Sequence, residues 1–269
     1  MLLRSVQGRF GGKADDTGFR LFTDKLAVES ASGQQWPGGS GMVNHVYAHG
    51  QQPSETEASA QGLDIASLAE LARLLPIPAS TRQWLAANRP SGLIRKASAH
   101  WRGDTDVVGD WRVKADVAQL AFGMPAAPIR SHAARDAHGG LLLGAQDASI
   151  GLRGLDLVLD ANANGGDAKI AFADGALYLP KVFEEPLLPI TEARTQVSWT
   201  VQGEQIQVQS DKLDFANPHA AGHARWSWRT ADPAKSSAKS RFPGVLQLKG
   251  VLDRADGTKV HRYLPLHIP

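Results

Sequence analysis

Alternation between apolar and polar residues is the feature that most constrains the fold of this chain. It is strongest at 191–202 and 219–229, and it recurs at 111–118. Successive side chains of a β-strand point to opposite faces, so this period of two predicts strands with one apolar and one polar face. The aromatic and β-branched residues that the pattern places on an apolar face include Trp111, Val113, Val197, Trp199, Val201, Trp226 and Trp228.

Short turn signals separate the alternating segments and indicate how the strands are connected. Residues 162–166 and 203–204 are typical of hairpin turns, and 103–106 is a third such site. Consecutive strands joined by short turns predict a meandering antiparallel sheet. The parity of the pattern changes at Gly154, which predicts a β-bulge.

Three segments fit the meander less well. Residues 54–61 are short and polar, so we predict that they form an edge strand. Residues 180–189 are rich in proline, and we predict that they cross over between strands. Residues 123–148 lose all periodicity and predict a long loop.

Residues 63–92 carry the one strong helical pattern. Apolar residues recur at helical spacing from Leu68 to Leu75, which predicts an amphipathic helix with Asp64 as its N-cap. Pro76 ends this helix, and a second short helix follows it. We favour an αα-corner at one end of a β core. A helix pair that docks on a partner or on a membrane is the alternative.

The residues alone therefore predict a mainly β fold with one elongated antiparallel sheet and a short two-helix insert. We divide the chain into a β-strand segment at 1–62, the helical insert at 63–92 and an antiparallel sheet segment at 93–269. A chain of 269 residues is long enough to bury a core of its own.

Composition excludes several classes of function. The chain has no cysteine, which excludes disulfides, thiolate metal sites and a cysteine nucleophile. Its net charge of +2 is spread over interleaved basic and acidic residues, so we expect no nucleic-acid partner. No apolar run approaches the roughly 20 residues of a membrane-spanning helix, and the first residues lack the apolar core of a signal peptide. We expect a cytoplasmic chain or a piece of a longer protein whose targeting segment is missing.

Candidate catalytic and metal-binding residues are few. His219 and His223 are four residues apart, but on a strand this spacing separates them by roughly 13 Å, too far for a single ion without further ligands. The adjacent carboxylates Glu184 and Glu185 would point to opposite faces of a strand. The sequence contains no nucleophile elbow, phosphate loop or dinucleotide motif. We expect no catalytic residue, no metal and no cofactor, and an enzyme is our third hypothesis.

The tryptophans on the predicted strands support two interpretations. Aromatic side chains usually fill a protein's own core. In that case the chain is a structural or protein-binding β module. The sharper interpretation is that one face of the sheet has no covering layer and accommodates acyl chains, at about 0.8 kcal/mol for each buried CH₂ group.

A set of packing motifs also occurs in a fixed order along the chain. They are Leu74-Leu75-Pro76, Trp84-Leu85, Pro90-x-Gly92, Trp101-Arg102-Gly103, and Leu177-Tyr178-Leu179-Pro180-Lys181-Val182-Phe183 followed by Glu185-Pro186. In this order they resemble the AsmA-like proteins of the YhdP type, and the resemblance covers most of the chain. Residues 260–265 resemble 71–76, as if a second copy of the insert began there.

Such proteins are similar to the bridge-like lipid-transfer proteins. The resemblance implies a long, twisted β-groove in the periplasm, anchored in the inner membrane. Phospholipid acyl chains would pass along the groove toward the outer membrane, with an effect on outer-membrane permeability. The chain lacks the N-terminal membrane helix and is shorter than a complete member. We therefore expect an internal segment that reaches the membrane through missing parts and meets possible envelope protein partners.

Together these observations predict a non-catalytic, lipid-conducting segment. We expect acyl chains to contact Trp111, Val113, Val197, Trp199, Val201, Trp226 and Trp228. The alternative is a structural or protein-binding β module without a ligand.

Overall fold

The computed structural model describes residues 3–30, 35–36, 38–72, 78–103, 110–125, 150–180, 182–233 and 240–263. The strands are β1 (Leu3–Asp15), β2 (Gly18–Ser30), β3 (Gln35–Trp36), β4 (Ser40–Val46), β5 (Glu55–Asp64), β6 (Ser91–Arg102), β7 (Asp110–Phe122), β8 (Gly151–Asn162), β9 (Gly165–Tyr178), β10 (Leu187–Gln202), β11 (Gln205–Ala216), β12 (Ala220–Arg229) and β13 (Val245–Ala255). The helices are α1 (Ile65–Ala72), α2 (Ala79–Asn88) and a final 3₁₀ helix (Gly257–Tyr263).

All of these strands belong to one antiparallel sheet. Twelve of them lie side by side in chain order, from β1 and β2 through β4 and β5 to β13, and β3 pairs only with β2. The two outer strands do not pair with each other, so the sheet is not closed. The mainly β, antiparallel fold with a short helical insert is confirmed.

Local sequence signals explain how neighbouring strands meet. Asn162 pairs with Gly165 across a two-residue turn, as the turn signal predicts. Gly154 has a φ of +75°, and the register between β8 and β9 shifts beside it. A Cβ at this position would lie 2.9 Å from the Cα of Gly175, so the predicted bulge is confirmed and requires glycine.

The prediction of an edge strand at 54–61 is wrong. β5 lies inside the sheet and pairs with β4 on one side and with β6 on the other. Its polar residues do not require an edge position, because they find partners within the sheet. Thr56 is buried, and its Oγ1 lies 2.7 Å from Nδ1 of His45 on β4.

The prediction of a crossover at 180–189 is also wrong. β9 and β10 form an antiparallel hairpin in which Tyr178 pairs with Leu187, and the connection between them is short. Pro189 lies inside β10, where the missing N–H is tolerated because β11 pairs with β10 only from Glu192 onward.

The helical insert interrupts the chain but not the sheet. β5 and β6 pair directly on either side of it, with Leu63 opposite Ile94. Asp64 caps α1 as predicted, because its Oδ1 accepts a 2.7 Å hydrogen bond from the N–H of Ser67. Leu68 of α1 packs against the buried Leu63.

Some predictions concern residues outside the described ranges. Leu75 and Pro76 are among them, as are most of the predicted loop at 123–148 and the last residues of the 260–265 motif. The division into segments at 1–62, 63–92 and 93–269 stays a prediction. In the described part of the chain, no helix is both long and apolar enough to cross a membrane.

Candidate functional site

One row of paired residues crosses all twelve strands and is apolar from end to end. We call it the central row, and the face that carries it the apolar face. With neighbouring strands roughly 4.8 Å apart, the row extends for about 50 Å. Its members are Gly12, Leu21, Val43, Ala58, Ala99, Val113, Ala161, Gly166, Trp199, Val208, Trp228 and Leu246.

The register places all seven predicted residues on the apolar face. Val113, Trp199 and Trp228 belong to the central row itself. The other four lie on the same side of their strands, at positions an even number of residues away from the central row. These four are Trp111, Val197, Val201 and Trp226, and all seven are half-buried.

The opposite face, which we call the polar face, carries charged residues in cross-strand ion pairs. Arg112 of β7 donates two hydrogen bonds, of 3.1 and 2.8 Å, to the carboxylate of Asp160 on β8. These bonds hold the pKa of Asp160 below its ordinary value. Arg95 donates one hydrogen bond to Asp116 and one to Asp156, and so joins two carboxylates. A depression of about 400 Å³ lies on this side, but Lys96, Lys114, Lys169 and three aspartates line it, which does not suit an acyl chain.

The strand ends line up along two opposite edges of the sheet, and these two edges carry different residues. At one end, which we call the helix end, the chain continues from β5 into α1, from α2 into β6, and from β13 into the 3₁₀ helix. The other end, which we call the aromatic end, carries a row of paired residues on the apolar face. Its members are Phe19, His45, Thr56, Trp101 and Trp111.

Mostly small residues occupy the middle of the apolar face from β4 to β9. They form two adjacent rows that we call the floor, which also contain Val43, Val113 and Leu159. Taller side chains flank the floor on the helix side from β5 to β9 and on the aromatic side from β4 to β7, and we call the strip between them the trough. On the helix side these side chains are Leu63, Ile94, Val117, Leu157 and Ile170. On the aromatic side they are His45, Thr56, Trp101 and Trp111. The small members of the floor are Gly41, Ala58, Ala60, Ala97, Ala99, Ala115, Ala161, Gly166 and Ala168.

Within the described ranges, no second sheet lies over the apolar face. Extensive contacts between elements join only neighbouring strands, together with α1 against β5 and β6. Phe172 is nevertheless only 8% exposed, because Leu155, Ala193 and other side chains of the same face pack around it. On the outer strand β13 this shielding is one-sided, and Leu246 is 63% exposed.

Two of the predicted tryptophans have specific protein neighbours. A Cβ at Gly166 would lie 2.8 Å from Cζ2 of Trp199, so the indole ring lies over this glycine. Trp228 donates a 2.9 Å hydrogen bond from Nε1 to the carbonyl oxygen of Pro243 and stacks on Phe242. The connection between β12 and β13 therefore covers part of Trp228.

The histidine pair that we considered for a metal has separate partners. His219 Nδ1 lies 2.8 Å from the hydroxyl of Tyr263, and His223 Nδ1 lies 3.5 Å from a carboxylate oxygen of Asp253. Glu185 forms an ion pair with Arg262. Among the described residues, no group of three His, Asp or Glu side chains is placed to hold a metal ion.

Sequence reasoning selected the large residues of the apolar face and missed the floor. The signal was present, since Ala58 and Ala60, like Ala97 and Ala99, alternate with polar residues. Alanine is weakly apolar and is common in helices, so its alternation with polar residues is a weak signal of a strand face. Trp101, which belongs to the Trp101-Arg102-Gly103 motif, also lies on the apolar face but is outside the predicted set.

Comparison with known proteins gives a family match. The family model described as YhdP protein matches residues 1–268. No curated protein and no solved structure matches the chain.

Proposed function

Because the chain belongs to the YhdP family, a family related to lipid transport, we propose that its apolar face carries the acyl chains of phospholipids. The central row is the observation that supports this proposal most strongly, because it gives an unbroken apolar path across twelve strands. The lipid-contacting set is the predicted one, Trp111, Val113, Val197, Trp199, Val201, Trp226 and Trp228, joined by the floor.

The energetics suit transport better than tight storage. Each CH₂ group transferred from water to the apolar face gains up to about 0.8 kcal/mol. An acyl chain can therefore bind at any strand, because each of the twelve strands contributes an apolar residue to the central row. No charged side chain interrupts the central row, so an acyl chain can move from one strand to the next without meeting a buried charge.

The remaining parts of the proposal concern the cellular setting. The chain is a segment of a periplasmic protein that is anchored in the inner membrane through parts outside this sequence. It carries phospholipid between the inner and outer membranes, and it does so without catalysis. Envelope proteins meet the complete protein at its ends.

The second candidate function is a structural or protein-binding β module without a ligand. The outer strand β13 favours it, because all eleven of its residues are exposed. Such an edge can pair with a strand of another protein segment. In this case the apolar face would be covered by protein and would not take up lipid.

Two variants on β6 separate these functions. In Ala99→Glu a carboxylate enters the floor, while in Ser98→Glu it enters the polar face one residue away. We expect the affinity for a fluorescent fatty acid to fall about tenfold or more in Ala99→Glu, since partial loss of hydration of the carboxylate costs at least ~1.4 kcal/mol. Ser98→Glu should bind as the wild type does.

Equal binding by both variants, or no uptake by the wild type, would contradict the lipid function. Thermal unfolding of both variants shows whether each one is folded at the temperature of the binding measurement.

A further inference from the structure

We propose that a bound lipid lies across the trough with its polar headgroup at the aromatic end of the strands and its acyl chains directed toward the helix end. This inference rests on the proposed function and adds an orientation to it. It follows from a difference between the two ends of the strands.

The helix end is occupied by protein. Leu68 of α1 packs on Leu63 at the end of β5. The ring of Trp84 on α2 lies 6.1 Å from that of Phe122 at the end of β7. The N–H of Gly123 donates a 2.7 Å hydrogen bond to the carbonyl oxygen at the end of α2. A charged headgroup at this end would have to displace packed side chains.

Polar contacts also occupy the same end farther along the sheet. Arg262 of the 3₁₀ helix forms an ion pair with Glu185, which lies in the connection between β9 and β10. His219, just before β12, lies 2.8 Å from the hydroxyl of Tyr263. These contacts tie the last helix to two strand connections on the helix end.

The aromatic end carries side chains that suit a boundary between water and hydrocarbon. Phe19 and His45 stack with ring centroids 5.2 Å apart, and His45 meets Tyr47 edge-on at the same distance. Tyr47 is 43% exposed. Farther along, Trp101 and Trp111 are paired across β6 and β7.

Rings with a polar group are stable where one side is apolar and the other is wet. The hydroxyl of Tyr47 and the indole N–H groups of Trp101 and Trp111 suit hydrogen bonds to a headgroup or to water, as does Nε2 of His45, whose Nδ1 lies 2.7 Å from the hydroxyl of Thr56. From Trp111 to Val117 the strand provides roughly 20 Å of apolar face, at about 3.3 Å per residue. Acyl chains that start at the aromatic end therefore run over the floor toward the helix end.

Single cysteines allow this orientation to be measured, because the natural chain contains none. A bimane fluorophore is attached at Tyr47→Cys, at Ile170→Cys or, as a control on the polar face, at Ser98→Cys. Each labelled protein is mixed with phosphatidylcholine that carries a nitroxide on its headgroup or near the end of one acyl chain. Circular dichroism checks that each variant is folded.

We expect the Tyr47→Cys label to lose more fluorescence with the headgroup nitroxide. The Ile170→Cys label should lose more with the acyl-chain nitroxide, and the Ser98→Cys label should respond to neither. The reverse pattern, or equal quenching of both apolar-face labels by both lipids, would overturn the orientation and leave the lipid function standing. A folded protein that shows no quenching at any site would overturn the lipid function and the orientation with it.

Discussion

At the scale of single residues, the apolar face needs a glycine where the ring of Trp199 lies over the neighbouring strand β9. A Cβ at Gly166 would lie 2.4 Å from the carbonyl oxygen of Asp160 and 2.8 Å from the Cα of Ala161, besides its contact with Trp199. Backbone atoms on a neighbouring strand cannot move away as a flexible side chain can. Packing therefore requires glycine at position 166, and the absence of a side chain there lets the ring of Trp199 lie close to the floor.

Replacing this glycine should destabilise the fold. We expect Gly166→Ala to lower the free energy of unfolding by about 1–3 kcal/mol, the usual cost of forcing an extra carbon into a packed site. Urea unfolding measures the change. Gly257→Ala is the matched control, because a Cβ at Gly257 meets nothing within 4 Å. Equal stabilities for the two variants would contradict the packing at Gly166.

The ion pair on the polar face gives a prediction for pH. Hydrogen bonds from Arg112 are the largest cause of the lowered pKa of Asp160 in the folded chain. A lowered folded-state pKa stabilises the fold above the unfolded-state pKa of about 3.9, and this contribution is lost as pH falls through the folded-state pKa. We expect Arg112→Gln to raise the pKa of Asp160 toward its ordinary value in an NMR titration. An unchanged pKa would show that Arg112 is not the cause.

At the scale of elements, the sequence predicts a strand well where large apolar and polar residues alternate. β7, β10 and β12 have this pattern, and their hairpin partners follow from the short turns. β5 was misplaced because its apolar side consists of small residues, so its polar residues dominated the interpretation. The hairpin of β9 and β10 was missed because Pro189 suggests a break, and only the partial pairing of β11 makes it acceptable.

The outer strand β13 leads to a prediction about association. Leu246, Leu248 and Leu252 are at least 60% exposed on an unpaired edge, which is a site for pairing between molecules. We expect Leu248→Lys to reduce the self-association of the purified chain, as measured by light scattering after size-exclusion chromatography. Gln247→Lys adds the same charge on the polar face of the same strand and should reduce it less. If the two variants associate equally, exposure of the apolar face at β13 does not drive association.

At the scale of the whole molecule, the important property is continuity. No single strand makes a path for a lipid, and the central row exists only because the register of eleven strand pairs aligns the apolar positions. The sequence predicted that the seven large residues would share apolar faces. It could not predict the alignment of neighbouring strands, because bulges such as the one at Gly154 shift the register by amounts that alternation alone does not determine.

Whether the apolar face receives lipid is tested most directly by native mass spectrometry of the chain purified in mild detergent. Our account predicts protein ions that carry added masses of phospholipids, and these masses should disappear after organic extraction and return when phospholipid is added back. A folded chain that is detected only as the bare protein, before and after phospholipid is supplied, would contradict the account.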